Sequence, residues 1–151
     1  MEVPVRPRTG ADLDAAVAAL RAVHEADGYP MNWPSDPGRW LTPPDLAAAW
    51  VALVAGDLAG HVVVLDSGEV GRLFVTLAAR RRAVASALLA AAADWAAAEG
   101  RELTLNVTDT RRSGAVALYE AAGWQHTHTT TADWTAPDGS PVRLRHYRLR
   151  L

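Results

Sequence analysis

The chain has 151 residues, half of them apolar, which excludes disorder and is enough to bury a sizeable core; the simplest organisation is one domain over residues 1–151. A net charge of −2 argues against nucleic acid as a main partner, and the absence of cysteine excludes disulfides, thiolate zinc sites and a cysteine nucleophile. No apolar run is long enough to span a membrane and the opening MEVPVRPRTG does not read as a secretory leader, so the expectation is a cytoplasmic protein with no membrane partner.

Glu2 to Arg8 reads as a short strand, with Val3 and Val5 alternating against polar neighbours. Thr9 caps a following helix, Asp12 sits in its first turn, and Leu13, Val17, Leu20 and Val23 or His24 make its apolar face until Gly28 ends it. His24, close to that end, reads as a helix-end cation or a structural residue. Asp27 to Pro44 is a loop restricted by prolines and carrying Tyr29, Trp33 and Trp40. Two readings of it compete: the tryptophans pin the loop to the core, or Tyr29, Asn32 and Trp33 form part of a wall that contacts a substrate. Thr42 caps a short helix through Asp45 to about Ala49. WVALVA and GHVVVLD then form a hairpin that turns at Gly56-Asp57.

Glu69 to Gly100 is the most informative stretch. Glu69 to Thr76 has strand composition, Ala83 to Ala98 is an Ala/Leu-rich helix, and Gly100 suits the helix end. Between them lie Arg80, Arg81 and Arg82. A helix N-terminus offers free N–H groups and partial positive charge, which suits a phosphate. The small residues Ala83, Ala85, Ser86 and Ala87 let an anion approach the backbone. The plain alternative is a solvated basic turn before a buried helix.

Leu103 to Val107 is a further strand and Thr108 to Arg112 a polar loop. Ser113 caps a helix carrying Tyr119, which Gly123 stops. Trp124 to Trp134 alternates as a strand, Pro137-Asp138-Gly139 turns, and Val142 to Leu151 is the last strand. The order is β-α-α-β-β-β-α-β-α-β-β, a mixed sheet with helices on both faces. All fifteen basic residues are arginine, so the protein has no lysine of its own to modify.

Two motifs carry a resemblance. Leu73-Phe74-Val75, then Arg80-x-x-Ala83-x-Ala85, then Leu88-Leu89, resembles the acyl-CoA-binding motif of the GNAT superfamily of N-acetyltransferases. Arg80 and Ala85 fit the family pattern. Ala83 stands where the family has Gly, and Arg81 and Leu77 replace the commoner Gly and Pro; alanine keeps its N–H and adds one methyl group. The run AVALYEAAGW at 115–124 resembles the family's later helix signature through Tyr119, Gly123 and Trp124, with Arg112 in place of the usual Asn. The motifs follow in family order and cover roughly a third to a half of the chain.

The resemblance implies an α/β (α+β) fold: a mixed, mostly antiparallel sheet with helices on both faces and two splayed strands that admit acyl-CoA. It implies acetyl transfer from acetyl-CoA, the co-substrate, to a primary amine of a small molecule or peptide by direct attack, in a monomer or homodimer. Phe74 and Val75 would flank the pantetheine arm, with Val75 pairing to it through the backbone. Arg80, Arg81 and Arg82 with Ala83, Val84, Ala85 and Ser86 would hold the pyrophosphate. Asn106 would reach the pantetheine or the acceptor, or serve as a structural amide. Tyr119 matches the family's acid for the CoA sulfur; its alternative is packing on an amphipathic helix. Glu69 matches a carboxylate base of the histone-acetylating branch, or is a strand-start residue at the solvent edge. His126 and His128 alternate on one side of a later strand and are the other candidates for a base. No third ligand accompanies that pair, so no metal is expected. The loop with Tyr29, Asn32 and Trp33 lies where the family shapes acceptor choice. The rival readings are a catalytically weak acyl-CoA-binding module and an interaction subunit of the same shape.

Overall fold

A computed structural model describes residues 3–109 and 114–149. The expected Ser113 cap and the Arg112 departure lie outside the described residues.

The first strand, β1 (Val5–Pro7), leads through a turn of 3-10 helix at Gly10–Asp12 into α1 (Leu13–Asp27). Thr9 and Asp12 form a capping box there, and Asp12 also takes two hydrogen bonds from the Arg6 guanidinium at 2.8 Å. Gly28, at φ 73°, closes α1 in the left-handed conformation. The loop that follows holds one short helix, α2 (Pro37–Trp40), capped by Asp36, whose carboxylate accepts from the Arg39 N–H at 3.2 Å. The meander β2 (Leu46–Val54), β3 (Asp57–Leu65) and β4 (Glu69–Val75) comes next. Then follow α3 (Val84–Ala98), β5 (Leu103–Thr108), α4 (Gly114–Ala121), β6 (Gln125–Thr135) and β7 (Pro141–Leu149). Among the described residues no helix is long and apolar enough to cross a membrane.

The expected helix through Asp45 to Ala49 is not formed. Those residues lead into β2, where Leu46 pairs with Leu65 and Ala48 with Val64. The alanine run favours helix locally, but pairing with the valine-rich β3 decides its conformation.

The seven strands lie in the order β1-β2-β3-β4-β5-β7-β6, and every neighbouring pair is antiparallel except β4 with β5. Alternation along the strands sends side chains to two separate cores. On one face Ala52, Val62 and Val64 meet Val84, Leu88, Leu89 and Ala92 of α3, joined by Tyr119 and Trp124. On the other, Ala16, Leu20 and Val23 of α1 pack with Leu41 and Phe74. Leu20 and Leu88 are fully buried, each stabilising the fold by about 1.5–3 kcal/mol relative to an exposed side chain. α3 lies close against β3 because position 60 is glycine: a Cβ there would sit 2.8 Å from Val84 and 2.9 Å from Leu88.

Candidate active site

β4 and β5 stay together for two residue pairs only, Glu69 with Thr104 and Val70 with Leu105. The start of the pairing is tight: a Cβ on Gly68 would lie 2.6 Å from the Glu102 carbonyl oxygen, and the Thr104 N–H donates to the Gly68 carbonyl at 3.0 Å. Beyond it the strands splay. Gly71 to Val75 and Asn106 to Thr108 become opposite walls of an open cleft of about 490 Å³. The C-terminal end of α1 and the loop after it, through Asp27, Tyr29 and Met31, close one end, and Tyr119 reaches in from α4. Twisted strands whose pairing stops early leave backbone N–H and C=O groups unpartnered on the facing edges.

β4 also carries a bulge. His61 pairs with Phe74 and Val63 with Gly71, so Arg72 and Leu73 oppose one residue of β3. Arg72 takes the left-handed conformation, φ 53°. Its carbonyl accepts from Nδ1 of His61 at 2.9 Å, and His61 Nε2 accepts from Arg8 at 2.8 Å. These bonds define a neutral imidazole protonated on Nδ1. Burial, with Arg8 and Arg72 adding to it, pushes His61 down to about 4. Sequence inspection passed over His61.

The basic turn lies between β4 and α3. Ala83 occupies the N-cap of α3 at φ 59° and Arg81 has φ 64°, both left-handed conformations that ordinarily belong to glycine. No side chain caps this helix, so the first-turn N–H groups of Val84, Ala85 and Ser86 remain available to an anion. The three arginines diverge. Arg80 lines the cleft, donates to the Val75 carbonyl at 3.3 Å and forms an ion pair with Asp27 at 2.5 Å. Arg81 is exposed. Arg82 turns to a second, apolar cavity of about 620 Å³ between Val3-Pro4 and the β2–β3 turn.

Tyr119 is buried, its ring 6.1 Å from those of both Trp124 and Tyr147, and it lines the cleft. Burial raises the phenol well above its ordinary range. Among the described residues its hydroxyl has no hydrogen-bond partner. Glu69, Val75 and Asn106 line the same cleft. Phe74 lines it too, but its ring stacks on His61 at 5.3 Å and joins the α1 core.

The three loop residues divide. Tyr29 lines the cleft, and burial pushes its phenol up to about 12. Trp33 lies 5.1 Å from the His24 ring and beneath Arg21, away from the cleft lining. Asn32 donates to the Thr135 carbonyl at 2.9 Å, tying the loop to the end of β6. That tie helps explain a residue the sequence reading missed: Trp134, exposed beside it, lines the cleft. An aromatic at the end of a polar, threonine-rich strand was its only signal. Arg72 and Trp40 also line the cleft unforeseen. His24 donates from Nδ1 to the Pro30 carbonyl at 2.6 Å, a structural role. His126 and His128 do not alternate cleanly, because the β6–β7 register shifts between them. Both are exposed on the edge strand, and His128 stacks on His146 at 4.2 Å, outside the cleft lining. Among the described residues no three His, Asp or Glu side chains form a metal-binding group.

The sequence model of the acetyltransferase (GNAT) family matches residues 16–124. The chain belongs to this family. No curated protein matches the sequence. Among solved structures, GNAT folds are recovered over almost the whole chain. The ribosomal-protein-S18-alanine N-acetyltransferase from Escherichia coli is 19% identical with a TM-score of 0.78, over 98% of this chain and 93% of that one. A GCN5-related N-acetyltransferase from Kribbella flavida is 23% identical with a TM-score of 0.74, over 99% and 98%. NAA60 of Arabidopsis thaliana in complex with acetyl-CoA is 16% identical with a TM-score of 0.78, over 98% of each chain. At such identities the likeness shows the GNAT fold, a mixed open sheet of seven strands.

Proposed function

We propose that the protein transfers an acetyl group from acetyl-CoA to a primary amine by direct attack within the β4–β5 cleft, as one catalytic domain. The observation that carries this reading is the juxtaposition, along one splayed gap, of the β4 edge beyond its short pairing with β5 and the Tyr119 side chain. The pantetheine arm would lie against β4 at Val75 as an added strand. Its pyrophosphate would meet the N–H groups of Val84, Ala85 and Ser86, with Arg80 and Arg81 adding charge. Ala83 places the turn, and Arg82 joins only if it swings from its apolar cavity. Tyr119 would protonate the departing CoA sulfur. Its raised affinity for the proton keeps it loaded at neutral pH. Glu69 would accept the amine proton, directly or through water, and Asn106 would orient the arm or the acceptor. Tyr29, with Trp40 and Trp134, would shape the acceptor end.

The test is thiol release from acetyl-CoA across a panel of primary amines, for wild type and Tyr119→Phe. Wild type should release CoA in an amine-dependent manner. The phenylalanine variant should lose about 10²-fold or more in kcat with little change in acetyl-CoA Kd and melting temperature. An unchanged kcat in folded Tyr119→Phe would remove the acid role. Absence of acetyl-CoA binding at millimolar concentration would remove the enzyme reading.

A further inference from the structure

Arg72 has an environment that the acetyl transfer described above does not require. The bulge takes it out of the alternation of β4, in a backbone conformation unusual for any residue but glycine. Two contacts then fix its guanidinium. Nε donates to the Trp40 carbonyl at 2.9 Å, and the planar group lies over the Trp40 ring at 4.0 Å. The side chain is half-buried and lines the cleft beside Tyr29 and Glu69. No described carboxylate lies within 4.0 Å of it, and its two terminal nitrogens donate to no described group. Desolvation lowers its proton affinity, opposed only by the more distant Tyr29, Glu69 and Asp45. A partly desolvated cation held by its Nε at the wall of a cleft, with no described partner for its two terminal nitrogens, is arranged to receive a planar anion.

We infer that the acceptor amine carries a carboxylate and that Arg72 grips it. The cofactor's own phosphates have a separate place at the N-terminus of α3, so the anion belongs to the acceptor. Glu69 on the same strand supplies the opposite charge. The two together suit a molecule bearing both an ammonium and a carboxylate. Trp40, Tyr29 and Trp134 add aromatic surface for its apolar part. The inference rests on the acetyltransferase reading, and its test separates the two.

The probes are matched amines in which a carboxylate is exchanged for a neutral carboxamide, compared at a pH where each amine's free-base fraction is corrected for: L-phenylalanine against its carboxamide, and β-alanine against its carboxamide. Wild type should favour the carboxylate member of at least one pair by about tenfold or more in kcat/KM, as charge-assisted bonds imply. Arg72→Gln should bring that preference down close to one while acetyl-CoA Kd stays unchanged. Arg72→Lys, which keeps the charge but loses the fork, should retain part of it. A wild-type preference near one in both pairs overturns the inference without any variant. So does an undiminished preference in folded Arg72→Gln or Arg72→Lys. If no amine is acetylated, the acetyltransferase reading fails. Calorimetry of the same pairs on CoA-saturated protein then decides this claim alone: tighter carboxylate binding lost on replacing Arg72 supports it, and equal affinities refute it.

Discussion

Replacing Ala83 by glycine should stabilise the protein. Ala83 is held at φ 59° as the N-cap of α3, where a Cβ meets the following carbonyl oxygen and costs about 1–2 kcal/mol. Glycine removes that strain. It also gives the unfolded chain more freedom, which takes back about 0.4–1 kcal/mol. No capping bond is lost, because alanine makes none. The net gain is about 0.5–1 kcal/mol, or a rise in Tm of roughly 2–3 °C for a chain of this size. The same exchange two residues on has the opposite sign. Ala85 lies in the first turn of α3 in a right-handed helix, so Ala85→Gly should cost up to about 1 kcal/mol. Scanning calorimetry on the two variants and wild type, under one buffer, reads both. Acetyl-CoA affinity should hold or tighten in Ala83→Gly, since a methyl group leaves the anion's approach. A lower Tm for Ala83→Gly, or equal shifts for the two variants, would refute the strain argument.

Asp27→Asn should release Arg80 from its ion pair and raise acetyl-CoA affinity about 2–5-fold, the range of a partly exposed pair; calorimetry showing unchanged or weaker binding would mean that Arg80 does not turn to the phosphates. His61 should make stability depend on pH. Its folded value of about 4 lies below the ordinary 6.5, so the unfolded chain binds the proton more readily. The stabilisation is complete above pH 6.5 and is lost as pH falls toward 4, by about 3 kcal/mol in all. Denaturant midpoints of His61→Gln should vary less than wild type across that window, and parallel curves would assign the dependence elsewhere.

Much of the fold is legible in the sequence because periodicity and capping act locally. α3 reads from its alanine and leucine run, and α4 from the stretch around Tyr119. Asp45 to Ala49 misleads for the reason that limits all such reading: the partner strand β3, which decides its conformation, is distant in the chain. The cleft is legible only in part. Glu69, Val75, Arg80 and Asn106 lie on elements whose order is visible. Arg72 is not, since one extra residue in β4 changes where a side chain goes, and alternation cannot show where the pairing slips. Trp134 is hidden likewise, because the loop that meets the end of its strand, through the bond from Asn32 to the Thr135 carbonyl, lies 103 residues away in the chain. Within the arginine run, charge alone does not reveal that Arg82 faces a different cavity from Arg80.

The short seam between β4 and β5 bears on the order in which the molecule is assembled. β2, β3 and β4 are joined by tight turns and can pair as each follows the last. β5 must return parallel to β4 after the whole of α3 has been laid down, and it is held there by two residue pairs. Among the described residues β7 and β6 join the sheet through β5 alone. In a growing chain the N-terminal meander has all its strands before the cleft has its second wall, so the cleft is expected to form last. A chain ending before β5 would carry the arginines of the turn but would lack the second wall of the cleft.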